Sequence, residues 1–97
     1  MKVLIVGAGQ QGHVITWNLG RNPAVTEVVV SDYDLDRARL IVKEVGAGKA
    51  RAEQIDAADT AAVTRLASGA RLVVNAVIPE YNMSIMRACL DAGAAYM

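Results

Sequence analysis

The stretch Lys2-Val3-Leu4-Ile5-Val6-Gly7-Ala8-Gly9-Gln10-Gln11-Gly12 joins an apolar, β-branched run to three glycines at the spacing G-x-G-x-x-G. The run predicts a buried strand, and the residues that follow the glycines have helical periodicity. In this context Gly7 allows a tight turn, Gly9 leaves room for a pyrophosphate, and Gly12 lets the helix pack against the strand. The first helical turn would then present backbone N–H groups, including those of Gln10 and Gln11, to the phosphates.

An acidic residue completes the dinucleotide-binding pattern. Asp32 ends the run Val28-Val29-Val30-Ser31 and stands twenty positions after Gly12. A carboxylate here accepts hydrogen bonds from the adenosine ribose hydroxyls and repels a 2′-phosphate. We therefore expect a nicotinamide dinucleotide site that favours NAD over NADP. Arg37 is the main argument against this preference for NAD. Its flexible side chain, one turn into the next predicted helix, could reach the 2′-phosphate of NADP.

Further candidate cofactor-binding residues follow the later predicted strands. Tyr33 is expected either to flank the adenine or to lie on the surface. Asp56 follows the third strand, where the loop usually runs beside the adenine. Asn75 is expected to position a group on the nicotinamide side of the cofactor, with Ala76 and Val77 next to it.

Strands and helices alternate along the whole chain. We predict strands at about 2–6, 27–31, 50–55 and 72–76, and helices at about 10–20, 35–45, 60–68 and 80–92. Short connections and right-handed crossovers then give an α/β fold, a Rossmann-type doubly wound parallel sheet of order 3-2-1-4. Residues 93–97 resemble the turn into a fifth strand that does not arrive, so the sheet is expected to be truncated before six strands, with strand 4, or a stub of strand 5, at an open edge.

Composition sets the remaining expectations. Residues 1–97 suffice for one dinucleotide-binding domain, and a net charge of zero with four aromatic residues disfavours nucleic acid as a partner. No run is apolar and long enough to cross a membrane, and a single cysteine, Cys89, suits a reducing cytoplasm. His13, the only histidine, has no cysteine partner and predicts no metal site. We also expect a homo-oligomer.

Two segments carry a family resemblance. Val73-Val74-Asn75-Ala76-Val77-Ile78-Pro79, followed by Arg87-Ala88-Cys89-Leu90-Asp91-Ala92-Gly93-Ala94-Ala95-Tyr96, resembles the nucleotide-binding domain of the saccharopine dehydrogenase family. The resemblance implies an oxidoreductase that uses NAD or NADP on secondary amines of lysine-like amino acids, or that deaminates lysine. It also implies that the substrate domain and the catalytic residues lie beyond Met97, so that this chain binds cofactor without catalysis.

The sequence also allows two other interpretations of the function of this chain. A nucleotide-sensing regulatory domain of a potassium-transport system uses the same glycine loop and acid. Such domains usually carry Gly-Asp-Ala-Thr after strand 3, whereas this chain has Ile55-Asp56-Ala57-Ala58. A domain that has lost its ligand is disfavoured by the intact glycines and Asp32.

Overall fold

The computed structural model describes residues 1–76, Gly93 and the strand at 95–96. Its elements, in chain order, are β1 (Lys2–Val6), α1 (Gln10–Gly20), β2 (Glu27–Asp32), α2 (Leu35–Val45), β3 (Ala50–Gln54), α3 (Thr60–Ala67), β4 (Leu72–Asn75) and β5 (Ala95–Tyr96). The three described helices have eight to eleven residues, well below the ~20 needed to cross a bilayer, and none of them is a candidate membrane span.

The strands form one parallel sheet of order β3-β2-β1-β4-β5. The predicted Rossmann-type order is thus confirmed. Chain order reverses between β1 and β4, where Val6 lies beside Asn75 in register. In open α/β sheets, ligands bind at the carboxyl ends of the strands beside such a reversal. The glycine loop after β1 is therefore in the position that the fold reserves for a ligand.

Both faces of the sheet are covered. Alternate residues of β1 and β2 contribute to two apolar clusters, one centred on Leu4 and Val29 and closed by Val63 of α3. The other contains Val3 and Val28 and is closed chiefly by α1 and α2. A strand that is buried on both faces needs an unbroken apolar run. This is why the sequence predicts β1 and β2 correctly.

Asp34 and Asp59 stand directly before the second and third predicted helices, a position in which aspartate is typical of an N-cap, and the structure confirms both caps. Asp34 accepts a hydrogen bond from the Asp36 amide at the start of α2, and Asp59 accepts one from Ala62 at the start of α3. The apolar spacing predicts that α2 buries Leu35, Ala38, Val42 and Val45. The buried face differs from this stripe, because Ile41 is buried whereas Leu35 and Val42 are only half-buried.

The apolar run at 72–76 predicts a fourth strand that is buried throughout, and this expectation is wrong. The strand ends at Asn75 and buries only Val73 and Val74. At the sheet edge, the second of the two expected alternatives is found: a two-residue fifth strand forms and pairs with Leu72 and Val73 of β4. Strand β4 is therefore not an open edge at these residues. The helix predicted at about 80–92, with Cys89, lies outside the described residues.

Candidate functional site

Two glycines of the loop between β1 and α1 are required by its geometry. Gly7 has a φ of 114°, which favours glycine, and its amide donates to the Ser31 carbonyl at 2.7 Å. A Cβ on Gly12 would collide with the carbonyl oxygen of Gly7. These two residues therefore allow the tight turn and the close helix packing that the sequence indicated.

Gly9 leaves an open space at the start of α1. A Cβ on Gly9 would meet only the Arg37 side chain, with Nη2 3.7 Å away. Gly9 is also the N-cap of α1, and it has no side-chain capping hydrogen bond, unlike the aspartates that cap α2 and α3. The first turn of α1 contains no acidic residue. Its amides, including those of Gln10 and Gln11, thus remain available to an anion.

Asp32 connects the end of β2 to the glycine loop. Its Oδ2 accepts a hydrogen bond from the Ala8 amide at 2.7 Å, and its Oδ1 accepts one from the Asp34 amide at 2.8 Å. Each carboxylate oxygen can accept a further bond. Asp32 can therefore hold the loop in place and still receive donors from a ribose.

A cleft of about 380 Å³ opens beside Asp32, between the carboxyl ends of β1, β2 and β3. Its polar lining includes Asp32 and Asp56, and the exposed ring of Tyr33 stands at its edge. The rest of the lining is backbone or apolar: Val6, Gly7, Ile55 and Ala57. Small apolar walls with a few polar groups suit a flat base attached to a sugar.

The wall on the β3 side is held by short-range hydrogen bonds. The Ile55 amide donates to the Asp32 carbonyl at 2.9 Å, and Gln54 Nε2 donates to the Tyr33 carbonyl at 3.1 Å. Asp56 Oδ1 accepts from the Ala58 amide at 2.9 Å. The other carboxylate oxygen of Asp56 accepts no hydrogen bond from the described residues, so it is a candidate acceptor for an adenine amino group.

The structure separates the predicted site residues into neighbouring groups. Gln10 and Gln11 border an apolar surface with Val14 and Ile15 rather than the cleft. Asn75 is half-buried at the end of β4 on the opposite side of β1, and the Ala76 amide donates to the Val6 carbonyl at 2.8 Å. Val77 lies outside the described residues. Within those residues, no group of three potential metal ligands occurs.

Sequence reasoning missed the apolar half of the cleft. Val6, Ile55 and Ala57 were assigned to strands or loops without a role, yet they form its walls. The sequence could have predicted these cleft residues, because each lies at or just after the carboxyl end of a predicted parallel strand, where ligands bind in this fold. The position of Arg37 against Gly9 could not be obtained in this way, because it depends on how α2 packs beside the loop.

A family model described as "Saccharopine dehydrogenase NADP binding domain" matches residues 3–97. The chain belongs to this family. Among the curated relatives of the chain, carboxyaminopropylagmatine dehydrogenase of Synechocystis sp. is 29% identical over 99% of the chain. Carboxynorspermidine synthase of Vibrio cholerae is 26% identical over 100% of the chain. The match covers 25% of the first relative and 26% of the second, so the chain spans about a quarter of their lengths.

A solved structure shows the same fold. Apo saccharopine dehydrogenase (L-Glu forming) of Saccharomyces cerevisiae superimposes with a TM-score of 0.86 at 18% sequence identity. The superposition covers 98% of this chain and 20% of the yeast chain. At this identity the likeness establishes the fold and nothing finer.

Proposed function

We propose that this chain is the cofactor-binding domain of a nicotinamide-dinucleotide-dependent oxidoreductase acting on a C–N bond of an amino-acid-like substrate. One observation carries the proposal: the uncapped start of α1 lies at Gly9, while the Asp32 carboxylate bonds the adjacent amide of Ala8. A helix N-terminus suits a pyrophosphate, and a neighbouring carboxylate suits ribose hydroxyls. The pyrophosphate and the adenosine ribose of a dinucleotide would thus each have a complementary group.

The cofactor would lie across the carboxyl ends of the strands. Adenine would occupy the cleft bordered by Tyr33 and Asp56, and the pyrophosphate would pass Gly9. The nicotinamide would extend toward Asn75, on the far side of the order reversal. When bound, the cofactor supplies hydride chemistry, and the protein supplies orientation and electrostatics.

The substrate class is supported by the names of the relatives. Carboxyaminopropylagmatine dehydrogenase and carboxynorspermidine synthase have names that denote carboxylated polyamine compounds, and the yeast structure is a saccharopine dehydrogenase. We infer an amine-bearing, amino-acid-like substrate, of which the lysine-like compound expected from the sequence is one case. Residues 1–97 would form the cofactor-binding part of a longer, cytoplasmic protein, with substrate binding and catalysis elsewhere.

The potassium-transport interpretation has less support. The family match extends over residues 3–97, and the loop after β3 is Ile55-Asp56-Ala57-Ala58 rather than the sequence usual in those regulators. Asp56 nevertheless lines the same cleft as Asp32. Nucleotide binding is therefore common to both interpretations, and the oxidoreductase accounts for the family match as well.

Calorimetric titration of the purified chain with NAD and NADP tests the proposal. We expect NAD to bind and to bind more tightly than NADP, because Asp32 repels a 2′-phosphate. We expect no turnover when an amino acid is added. Failure to bind either dinucleotide would contradict the proposed function, and tighter binding of NADP would contradict the preference alone.

A further inference from the structure

Strand β3 lies at an edge of the sheet. Among the described strands its only neighbour is β2, and the chain that follows β4 rejoins the sheet as β5, at the opposite edge. The Val28 amide donates to the Lys49 carbonyl, so the odd-numbered residues of β3 direct their backbone groups toward β2. Successive residues of a strand direct these groups to alternate sides. The amides and carbonyls of Ala50, Ala52 and Gln54 therefore face the open edge.

One face of this edge has a regular pattern of charge. Arg51 Nε donates to Glu27 Oε2 of β2 at 3.2 Å, and its Nη1 donates to Glu53 in the same strand. The three side chains are 39–45% exposed, so each can accept a further partner. Ala50 and Ala52 are on the other face, where they pack against the cluster closed by α1 and α2. The charges of β3 are thus accessible, and its alanines are attached to the core.

Two copies of β3 complement each other when they run antiparallel with Ala52 opposite Ala52. Ala52 of the two copies, and likewise Ala50 with Gln54, then exchange backbone hydrogen bonds through the groups that face the edge. Arg51 of one copy lies opposite Glu53 of the other, at the non-hydrogen-bonded positions where facing side chains approach most closely. The twofold axis repeats this pair, so both guanidiniums face a carboxylate.

We propose that the edge of β3 binds a second copy of this chain, which joins the two sheets into one across a twofold axis. Charged residues usually protect an edge strand from such pairing. Here the protection fails for a second copy in this register, because the symmetry brings opposite charges together. The inference goes beyond cofactor binding and does not depend on it, since neither Arg51 nor Glu53 lines the cleft beside Asp32.

The experiment reverses the charges of Arg51 and Glu53. Arg51→Glu and Glu53→Arg each place like charges opposite one another across the axis, so each should weaken self-association. The double variant Arg51→Glu/Glu53→Arg exchanges the two charges and should associate again. An equimolar mixture of the two single variants should form a heterodimer, because the carboxylates of one chain then face the guanidiniums of the other.

Sedimentation velocity over a concentration series at low salt measures the dissociation constant of the dimer. We expect each single variant to raise it at least about tenfold, since two symmetric ion pairs become repulsive contacts. Arg71→Glu is the matched control, because it reverses an exposed arginine just before β4, which β1 and β2 separate from β3. This control should stay within about threefold of the unaltered chain. Circular dichroism verifies that every variant is folded.

Ala52→Pro tests the backbone pairing without altering a charge. Its substitution removes an amide that faces the open edge and leaves the hydrogen bonds between β3 and β2 in place, so the dimer should weaken. An unaltered chain that is monomeric at every concentration would overturn the inference. Association that survives both single charge reversals would assign the contact to another surface, and a mixture of the single variants that stays monomeric would contradict the pairing register. No dinucleotide is needed, so these outcomes are separate from the test of the proposed function.

Discussion

The backbone amide of Ala8 donates to Asp32 Oδ2 at 2.7 Å, so the loop after β1 is tied directly to the end of β2. The second carboxylate oxygen accepts from the Asp34 amide, immediately before α2. One side chain thus connects the loop proposed to receive the phosphates with the helix that carries Arg37. Asp32 consequently has a structural contribution in addition to its proposed contact with ribose.

Replacement of Asp32 is expected to affect binding and loop order together. Asp32→Ala should weaken NAD by ~1–3 kcal/mol, because bonds to the ribose and to the Ala8 amide are both lost. Asp32→Asn retains an acceptor for one amide and removes the charge, so it should reduce the preference for NAD over NADP. Calorimetry with both dinucleotides measures the two effects.

Asp36→Asn is the matched control for Asp32. Its carboxylate is exposed and pairs only with Arg39 among the described residues, so NAD affinity should stay within about threefold. If Asp32→Asn behaved like this control toward both dinucleotides, the carboxylate would have no part in recognising the ribose.

Substitutions at Gly9 and Gly12 are expected to have different effects, the first on dinucleotide binding and the second on the stability of the fold. Gly9→Val should abolish dinucleotide binding and leave the fold intact, because the added Cβ would have only the flexible Arg37 side chain within 4 Å, while the branched side chain would obstruct the path proposed for the pyrophosphate. Gly12→Ala should instead lower the free energy of unfolding by ~1–3 kcal/mol, since its Cβ collides with the Gly7 carbonyl. Circular dichroism melts and titrations on the same samples distinguish the effects. A Gly9 variant that loses its fold would show that Gly9 is needed structurally.

Asp56 offers a test of the adenine position. Asp56→Asn should weaken both AMP and NAD by about 1 kcal/mol, because an amide has one acceptor oxygen fewer for the adenine amino group. Equal effects on the two ligands are expected, since both contain adenine. If AMP and NAD affinities were unaltered, the base would not contact Asp56.

Ser31 is a buried polar residue whose replacement should affect stability. Its hydroxyl donates to the Ile5 carbonyl at 2.7 Å between β2 and β1. Ser31→Ala should lower the free energy of unfolding by about 1 kcal/mol without changing the denaturant slope. Ser68→Ala, at the exposed end of α3, is the control and should have a smaller effect. Urea unfolding followed by circular dichroism compares them.

A homo-oligomer stays a prediction, and the structure changes the argument for it. The sequence left strand 4 or a stub of strand 5 at the edge of the sheet, and the structure pairs β5 with Leu72 and Val73. Val74 is buried in the core, so a charged substitution there would disturb the fold and could not test the edge alone. Light scattering over a concentration series is therefore the appropriate measurement, and a monomer at every concentration would contradict the prediction.

The sequence predicted the structure best in segments whose local residue pattern agrees with their burial in the fold. The run through Val6, the three glycines and the aspartate caps are determined by burial and hydrogen bonding within a few residues. Strand β5 has only two residues and depends on its pairing with β4, so the sequence could indicate a stub of a fifth strand but could not decide that it pairs. The sequence identified Arg37 as able to reach the site, but its approach to Gly9 depends on the packing of α2 beside the loop and could not be predicted.

The burial of the central strands on both faces bears on how such domains diverge through evolution. Tyr33 and Arg37 are exposed and belong to neither apolar cluster. Substitutions at exposed positions of this kind usually alter stability by no more than about 0.5 kcal/mol. A lineage that inherits this scaffold can accordingly exchange one dinucleotide for another through single replacements around Asp32, with a folded protein at each step.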